Sequence, residues 1–174
     1  GGYYSVMDIA EENNKWAKFT GRGYWNDPDM LVSGEQGLTF EQQKSHFALY
    51  CIMSSPLMLG NNPLDMAKEE KQIIFNKTAI MVDQDPSGQG KLIKGNNEAE
   101  VWAKKLNGGK TAVLLLNKNN IIPVDIELKI SYLGLEGEYM VKDIFKEKDL
   151  DNISGAKSYN IPQGSSLFVL LSKR

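Results

Sequence analysis

The spacing of apolar residues changes once along this sequence, near residues 85–90, and that change limits the folds open to it. Upstream, apolar residues recur about three to four positions apart over long segments, which is typical of helices. Downstream, apolar and polar residues alternate strictly over residues 124–130, which is typical of half-buried strands. The segment Asp85-Pro86-Ser87-Gly88-Gln89-Gly90 between them has the composition of a linker. We therefore predict two units, residues 1–86 and residues 87–174.

The first unit is predicted to alternate helices with short buried strands. Helices are predicted over residues 5–19, 39–55, 65–75 and 77–82, with strands over residues 24–27 and 57–59. The second helix begins with Thr39 as its cap and Gln42 at the capping-box position, and Pro56 is expected to stop it. Helix followed by strand is the order found in α/β barrels. Because the sequence opens at Gly1 without a methionine, we expect it to be part of a larger fold.

The second unit is predicted to consist of short antiparallel strands. Asn107-Gly108-Gly109 separates two strand-like segments and indicates a hairpin, since Asn-Gly readily adopts the positive φ angles of a tight turn. Further strands are predicted over residues 124–130, 139–145, 157–161 and 166–171. A run of strands without helical periodicity predicts an all-β antiparallel sandwich.

Polar residues cluster at the end of the first predicted strand, in Gly23-Tyr24-Trp25-Asn26-Asp27-Pro28-Asp29-Met30. Pro28 restricts its own φ and pushes Asp27 toward extended geometry, so the two aspartates are expected to keep a defined spacing. Barrel enzymes carry their active sites at the carboxyl ends of their strands, which makes this segment a candidate site. Asn-Asp-Pro-Asp is also ordinary turn chemistry, and on the residues alone that alternative stays open.

Five motifs occur in an order that resembles the C-terminal half of glycoside hydrolase family 27, the α-galactosidase and α-N-acetylgalactosaminidase family. They are Trp25-Asn26-Asp27-Pro28-Asp29-Met30-Leu31, Gly37-Leu38-Thr39, His46-Phe47-Ala48-Leu49-Tyr50, Ser55-Pro56-Leu57-Met58-Leu59-Gly60-Asn61, and Asp83-Gln84-Asp85-Pro86-Ser87-Gly88 with Gly90. The resemblance implies the last βα units of a (β/α)8 TIM barrel, followed by a C-terminal antiparallel β-sandwich.

The resemblance also implies a reaction and a set of residue roles. Enzymes of this family remove terminal α-linked galactose from oligosaccharides or glycoconjugates with retention, using two aspartates on opposite faces of the sugar. Both aspartates are expected upstream of this chain, so the chain alone is expected to be inactive. Asp29 and Met30 are expected to line the substrate pocket. Trp25, Asn26 and Asp27 are expected to support the strand end.

The same segment can also be considered as a metal site. Oxygen atoms of Asn26, Asp27 and Asp29 are the kind of ligand that hard cations take. However, no further carboxylates follow at the spacing of a calcium loop. The resemblance implies neither a metal nor a cofactor.

Three single residues have a functional and a structural interpretation. His46 is the only histidine, and a core histidine is expected rather than a catalytic one. Trp102 could stack on a sugar, although a strand tryptophan beside a hairpin is more often part of a core. Cys51 is the single cysteine, so no internal disulfide can form, and a buried thiol is expected.

Composition excludes some partners. A net charge of −2, from 20 basic and 22 acidic residues, offers no field for nucleic acid. No apolar run is long enough to cross a bilayer, so no membrane partner is expected either. A homo-oligomer stays open, and a bacterial protein that is periplasmic or secreted is expected. The alternative to an enzyme is a non-catalytic carbohydrate-binding or assembly module in which the β-sandwich does the work.

Overall fold

The computed structural model describes residues 3–34 and 37–174, so Gly1 and Gly2, with which the sequence begins, lie outside it. Within the described residues, the helices are α1 (Tyr3–Lys15), α2 (Phe40–Met53), α3 (Lys68–Ile74) and α4 (Lys77–Gln84). A turn of 3-10 helix at Ala17–Phe19 completes the first predicted helix. None of these helices combines the length and the apolarity that crossing a membrane requires.

Helix α2 is the central element of the first unit. The Thr39 hydroxyl accepts a hydrogen bond from the Gln42 amide at 3.3 Å, and the Gln42 side chain accepts one from the Thr39 amide at 2.9 Å, which confirms the predicted capping box. The helix ends two residues before its predicted end, because Ser54 adopts a left-handed conformation with φ of 53°. Almost every residue from Gln42 to Met53 is buried, so α2 has neighbours on all sides.

The predicted break between the third and fourth helices is confirmed at Phe75 and Asn76. The Asn76 side-chain oxygen accepts a hydrogen bond from the Ala79 amide at 2.9 Å and thereby caps α4. Its side-chain amide donates to the Ile144 carbonyl at 3.0 Å, which ties this cap to the second unit.

The strands predicted over residues 24–27 and 57–59 are wrong in extent. Tyr24 forms an antiparallel bridge with Gly21, and the parallel pairing among the described residues is a single bridge between Leu31 and Leu59. The Leu31 amide donates to the Met58 carbonyl at 2.7 Å, and the Gly60 amide donates to the Leu31 carbonyl at 2.8 Å. A parallel ladder extends only where a partner strand runs alongside, and these two segments meet only there. The aspartates therefore lie before the paired residue and not after it.

The second unit contains two antiparallel sheets. Six strands lie in the order β1-β2-β3-β8-β5-β6, and two more pair as β4-β7. Their bounds are β1 (Lys91–Gly95), β2 (Ala99–Lys105), β3 (Thr111–Asn117), β4 (Val124–Lys129), β5 (Glu138–Asp143), β6 (Lys148–Ser154), β7 (Ala156–Ile161) and β8 (Ser166–Lys173). The predicted hairpin is confirmed as β2–β3, and sequence patterns missed β1 and β6. Both are edge strands with mostly exposed side chains, so neither carries a clear apolar alternation.

Strand β3 is buried along its whole length because the larger sheet is covered on both faces. Val113, Leu115 and Val169 face the smaller sheet and form the core of the sandwich with Leu128 and Ile153. Alternate residues of the same strands face α2, in the core that the two units share.

Trp102 belongs to this shared core. Its side chain is 0% exposed, and its indole nitrogen donates to Glu100 Oε2 at 2.8 Å. The prediction that Trp102 is a core residue is therefore confirmed, although the core is shared with α2 and is not the one between the sheets. A fully buried indole cannot stack on a sugar, so the module alternative loses its candidate binding residue.

A buried lysine and a glycine join the two units. The Lys104 ammonium on β2 donates to the carbonyls of Val82, Asp83 and Asp85 at the end of α4, and also to the Ser54 hydroxyl. A cation at the carboxyl end of a helix satisfies carbonyls that have no partner within the helix. At Gly90, a β-carbon would lie 2.6 Å from the Ile52 carbonyl oxygen, so only glycine allows the linker to pass this close to α2.

Candidate active site

The segment from Asp27 to Leu31, which we call the Asp29 loop, follows a path fixed by hydrogen bonds. Asp29 has φ of 79°, the left-handed conformation that side chains other than glycine, asparagine and aspartate seldom adopt. The Asp29 amide donates to Asp27 Oδ1 at 2.9 Å, and the Met30 amide donates to Asp29 Oδ1 at 2.8 Å. This is the Asx-turn chemistry open to aspartate, so both carboxylates help to shape the loop.

A tyrosine side chain of α2 anchors the Asp29 loop through a hydrogen bond. The Tyr50 hydroxyl donates a hydrogen bond of 2.7 Å to the Pro28 carbonyl oxygen, and both residues are buried. Burial raises the pKa of Tyr50 well above its ordinary value, and the negative charges of Asp29 and Asp27 raise it further. The hydroxyl therefore stays protonated and keeps donating, and both carboxylates lie close enough to influence it.

Asn26 connects the start of the loop to the linker. Its side-chain amide donates to Gln89 Oε1 at 3.1 Å, and the Gln89 amide donates to Asn13 Oδ1 on α1 at 2.6 Å. The Gln89 backbone amide donates to the Thr20 hydroxyl at 3.3 Å. Asn26 thus joins the loop to α1 and to the linker that leads into the sandwich.

The loop exposes the residues that were predicted to contact a sugar. Asp29 is exposed, and Met30 is 49% exposed while its β-carbon packs near Gly60. Two clefts flank the loop. One, of about 330 Å³, is lined by Asn26, Asp27 and α1, and another, of about 280 Å³, is lined by Trp25 and the end of α2. Neither cleft is lined by Asp29 or Met30, and both residues are exposed.

This geometry limits the chemistry that the loop can perform by itself. A retaining glycosidase needs two carboxyl groups about 5 Å apart on opposite sides of the scissile bond. Asp27 and Asp29 lie on one short loop, each bound to a backbone amide of that loop, so they cannot bracket a sugar. The arrangement suits binding and orientation of a polar ligand.

His46 does not contact the Asp29 loop through a hydrogen bond among the described residues, but it packs against Tyr50, which anchors the loop. Its ring packs edge-on against Tyr50, with 4.4 Å between ring centroids. His46 is 0% exposed, burial lowers its pKa to about 4, and neither ring nitrogen has a hydrogen-bond partner among the described residues. The predicted core histidine is confirmed, but its polar atoms are not satisfied there.

Sequence reasoning missed two residues that organise this site. The sequence analysis places Tyr50 in a helix motif and Gln89 in the linker, and it predicts a functional role for neither. A tyrosine in a helix that is apolar nearly all round needs a partner for its hydroxyl, and that requirement was a signal for Tyr50. No comparable signal marks Gln89, because its partners are 63 and 76 positions away in sequence.

A unit of barrel type with a carboxylate-bearing loop, followed by an antiparallel sandwich, is the architecture of a class of two-domain glycoside hydrolases. A family model described as alpha galactosidase A matches residues 3–85, and one described as alpha galactosidase C-terminal beta sandwich domain matches residues 96–171. The chain belongs to the α-galactosidase family, glycoside hydrolase family 27.

Individual relatives agree with this assignment. Alpha-galactosidase 3 of Arabidopsis thaliana is 39% identical over 87% of this chain and 36% of its own length. Alpha-N-acetylgalactosaminidase of Gallus gallus is 30% identical over 89% of this chain and 40% of its own length. The crystal structure of alpha-galactosidase I from Mortierella vinacea superposes with a TM-score of 0.91 at 25% identity, covering 97% of this chain and 44% of that one.

These matches confirm the predicted family and fold class, the closing part of a (β/α)8 barrel followed by an antiparallel β-sandwich. The chain spans well under half of the length of each of these three relatives.

Proposed function

We propose that this chain is the C-terminal part of a retaining α-galactosidase-like glycosidase that removes terminal α-linked galactose from oligosaccharides or glycoconjugates. One observation carries the proposal: the Asp29 loop is held rigid from beneath and presents Asp29 and Met30 outward, in a chain whose two units both match this family. A rigid loop with an exposed carboxylate is suited to orient sugar hydroxyls.

In this proposal each residue of the loop has a stated role. Asp29 accepts hydrogen bonds from hydroxyl groups of the bound sugar, and Met30 provides an apolar contact at the pocket wall. Trp25, Asn26 and Asp27 keep the loop in place, Asn26 through Gln89 and Asp27 through the Asp29 amide. The nucleophile and the acid/base are expected on a part of the protein upstream of this chain, and neither a metal nor another cofactor takes part.

The finer substrate choice is argued from the relatives. Their names include α-galactosidases and an α-N-acetylgalactosaminidase, which differ in the sugar's second substituent. We favour galactose because α-galactosidases predominate among the relatives that cover most of this chain. An assay with both nitrophenyl glycosides decides between them.

The division into residues 1–86 and 87–174 stays a prediction. It is supported by the end of α4 at Gln84, the start of β1 at Lys91, and the gap between the two family matches. Gly1, Gly2, Glu35 and Gln36 of the first unit lie outside the described residues.

A homo-oligomer and a bacterial periplasmic or secreted location also stay predictions. The matched relatives include plant, animal and fungal proteins, so they do not favour a bacterial origin.

Substitution of Asp29 in the full-length protein tests the proposal. We expect wild-type protein to hydrolyse nitrophenyl α-galactoside and Asp29→Ala to lose about 100-fold or more in kcat/KM, the scale of a lost charge-assisted contact with the substrate. Asp8→Ala, which removes an exposed carboxylate from α1, is the matched control and should retain wild-type kinetics. Wild-type kinetics from Asp29→Ala would remove Asp29 from the substrate pocket.

The chain by itself provides a second test. If both catalytic aspartates lie upstream, these 174 residues should not turn over an aryl α-galactoside. Hydrolysis at an enzyme-like rate by the isolated chain would contradict the proposed placement of the catalytic pair.

A further inference from the structure

Tyr50 lies in the last turn of α2 and is 2% exposed, yet its hydroxyl reaches the Asp29 loop. The atom that it binds, the Pro28 carbonyl oxygen, belongs to the peptide group between Pro28 and Asp29. The amide of the same peptide group, Asp29 N–H, donates to Asp27 Oδ1 at 2.9 Å. Both polar ends of one peptide plane are therefore held by side chains.

That peptide plane decides the conformation of Asp29. Rotating it changes ψ of Pro28 and φ of Asp29 together, so a peptide flip would move Asp29 out of its left-handed conformation, where φ is 79°. Aspartate tolerates the left-handed region better than most residues with a β-carbon, but the region is still less favourable than the right-handed one, so contacts that hold the peptide matter. The hydrogen bond from Tyr50 opposes the flip, because a flipped carbonyl would leave a buried hydroxyl without its partner.

The Tyr50 ring is itself held in place. The His46 ring packs against it in a T-shaped contact with an interplanar angle of 81°, and both residues lie in the buried part of α2. Packing around the ring therefore restricts how far the hydroxyl can follow the loop if the loop shifts.

We propose that Tyr50 is a positioning residue of the active site, whose hydroxyl holds the Pro28–Asp29 peptide so that the Asp29 carboxylate is presented to the sugar. Tyr50 acts through Asp29 and does not contact the substrate. The inference rests on the proposed function in taking Asp29 as a substrate-binding residue.

Tyr50→Phe in the full-length protein is the direct test, since it removes one oxygen and keeps the ring. We expect kcat/KM for nitrophenyl α-galactoside to fall about tenfold or more, mainly through a higher KM, because a binding contact is misplaced in both the ground and transition states. Tyr159→Phe is the matched control, since the buried Tyr159 hydroxyl has no hydrogen-bond partner among the described residues and lies in the sandwich. It should leave KM unchanged. An unchanged KM in Tyr50→Phe overturns the proposal.

A double-mutant cycle separates positioning from general stabilisation. Asp29→Asn keeps an oxygen for the Met30 amide and tolerates the left-handed conformation, but it removes the charge. If Tyr50 acts through Asp29, Tyr50→Phe should reduce kcat/KM by less than about threefold in the Asp29→Asn background. If Tyr50→Phe lowers kcat/KM by the same factor in the Asp29→Asn background as in wild type, Tyr50 acts independently of Asp29 and the proposal is overturned.

Asp27→Ala releases the other end of the same peptide and serves if Tyr50→Phe fails to fold. Asp27 is exposed, so its removal does not open a core. The same rise in KM is expected, and a wild-type KM in this variant would overturn the role of the held peptide.

Hydrogen exchange distinguishes this inference from the proposed function. Tyr50→Phe should speed exchange at the Asp29 and Met30 amides, while the Leu31 amide stays protected by the Met58 carbonyl. If the wild-type protein neither binds nor cleaves galactosides, the proposed function fails, and unchanged exchange in Tyr50→Phe then separately rejects the positioning role.

Discussion

The sandwich completes its own core, whereas the helical unit does not. Every strand of the sandwich has an antiparallel partner, and the side chains between the sheets are buried. In the helical unit the parallel pairing is one bridge, and aromatic side chains stay in solvent: Trp16 is 53% exposed, Phe19 60% and Tyr24 77%. The antiparallel strands of the sandwich all find partners within this chain, even where they are far apart in sequence, as β3 and β8 are. The parallel pairing of a barrel strand needs a neighbouring strand along its whole length, and Leu31 and Leu59 meet at one residue each.

Helix α2 lies between the rest of the helical unit and the sandwich. One side of it packs on the larger sheet through the core that includes Trp102 and Leu114, and the other side supports the Asp29 loop. The incomplete unit is thus stabilised by the complete one, and the residues at their contact should matter more to stability than equivalent residues on the open side. Four substitutions test this comparison.

The largest effect is expected for the two tryptophans. Trp102→Ala removes a fully buried side chain from the shared core and should lower the free energy of unfolding by about 3–5 kcal/mol. Trp16→Ala on the open side of this chain should lower it by less than about 1 kcal/mol, since Trp16 is more than half exposed. Urea denaturation followed by far-UV circular dichroism measures both. Equal losses would show that the open side contributes as much as the shared core.

Lys104 should have the next largest effect. Lys104→Met leaves the carbonyls of Val82, Asp83 and Asp85 without this donor, and we expect a loss of about 2–4 kcal/mol in the same measurement. Lys105→Met, one position along the same strand and exposed, is the matched control and should stay within about 0.5 kcal/mol of wild type. If both variants behave alike, the buried ammonium does not hold α4 to the sandwich.

Gly90→Ala tests the close passage of the linker. A β-carbon would meet the Ile52 and Ala103 carbonyl oxygens at 2.6 and 2.9 Å, so the backbone must shift, at a cost of about 1–3 kcal/mol. Gly21 has ordinary φ and open space around it, and Gly21→Ala should be nearly neutral. A thermal midpoint of Gly90→Ala equal to that of Gly21→Ala would contradict the close contact.

The smallest effect is expected for His46 and depends on pH. Its pKa of about 4 in the folded chain lies below the ordinary 6.5, so the unfolded chain binds the extra proton first. The contribution of neutral His46 to the free energy of unfolding is therefore fully present above pH 6.5, and it is lost as the pH falls toward 4. His46→Met should remove that dependence, giving a variant whose free energy of unfolding changes by about 2 kcal/mol less than that of wild type between pH 7 and pH 5.

A second buried group, Asp83, also changes the pH dependence of stability in this range. Burial raises the pKa of Asp83 to about 7, so Asp83 contributes stability below its ordinary pKa of 3.8 that is lost as pH rises through 7, the opposite sign over the same range. Comparing His46→Met with wild type at each pH cancels this contribution. Parallel pH profiles for the two proteins would show that His46 does not titrate as its burial indicates.

Much of the fold followed from local patterns. The capping box at Thr39, the break at Asn76 and the hairpin at Asn107 were all predicted, because each depends on residues within a few positions of one another. The edge strands β1 and β6 were missed because their side chains are mostly exposed and carry no apolar alternation. The strand predicted over residues 24–27 was wrong in extent because parallel pairing is not a local property.

The sequence by itself determined the order of the helices, the change from helical to strand periodicity near residue 86, and the family, because short motifs and periodicity carry this information. Only the tertiary structure decided that Tyr50 holds Pro28, that Gln89 holds Asn26, and that Lys104 closes α4. Each of these contacts joins residues more than 20 positions apart, and a single hydrogen bond at that separation leaves no periodic trace in the chain. They form because packing on α2 and the large sheet buries polar atoms, which must then find partners wherever the fold brings them.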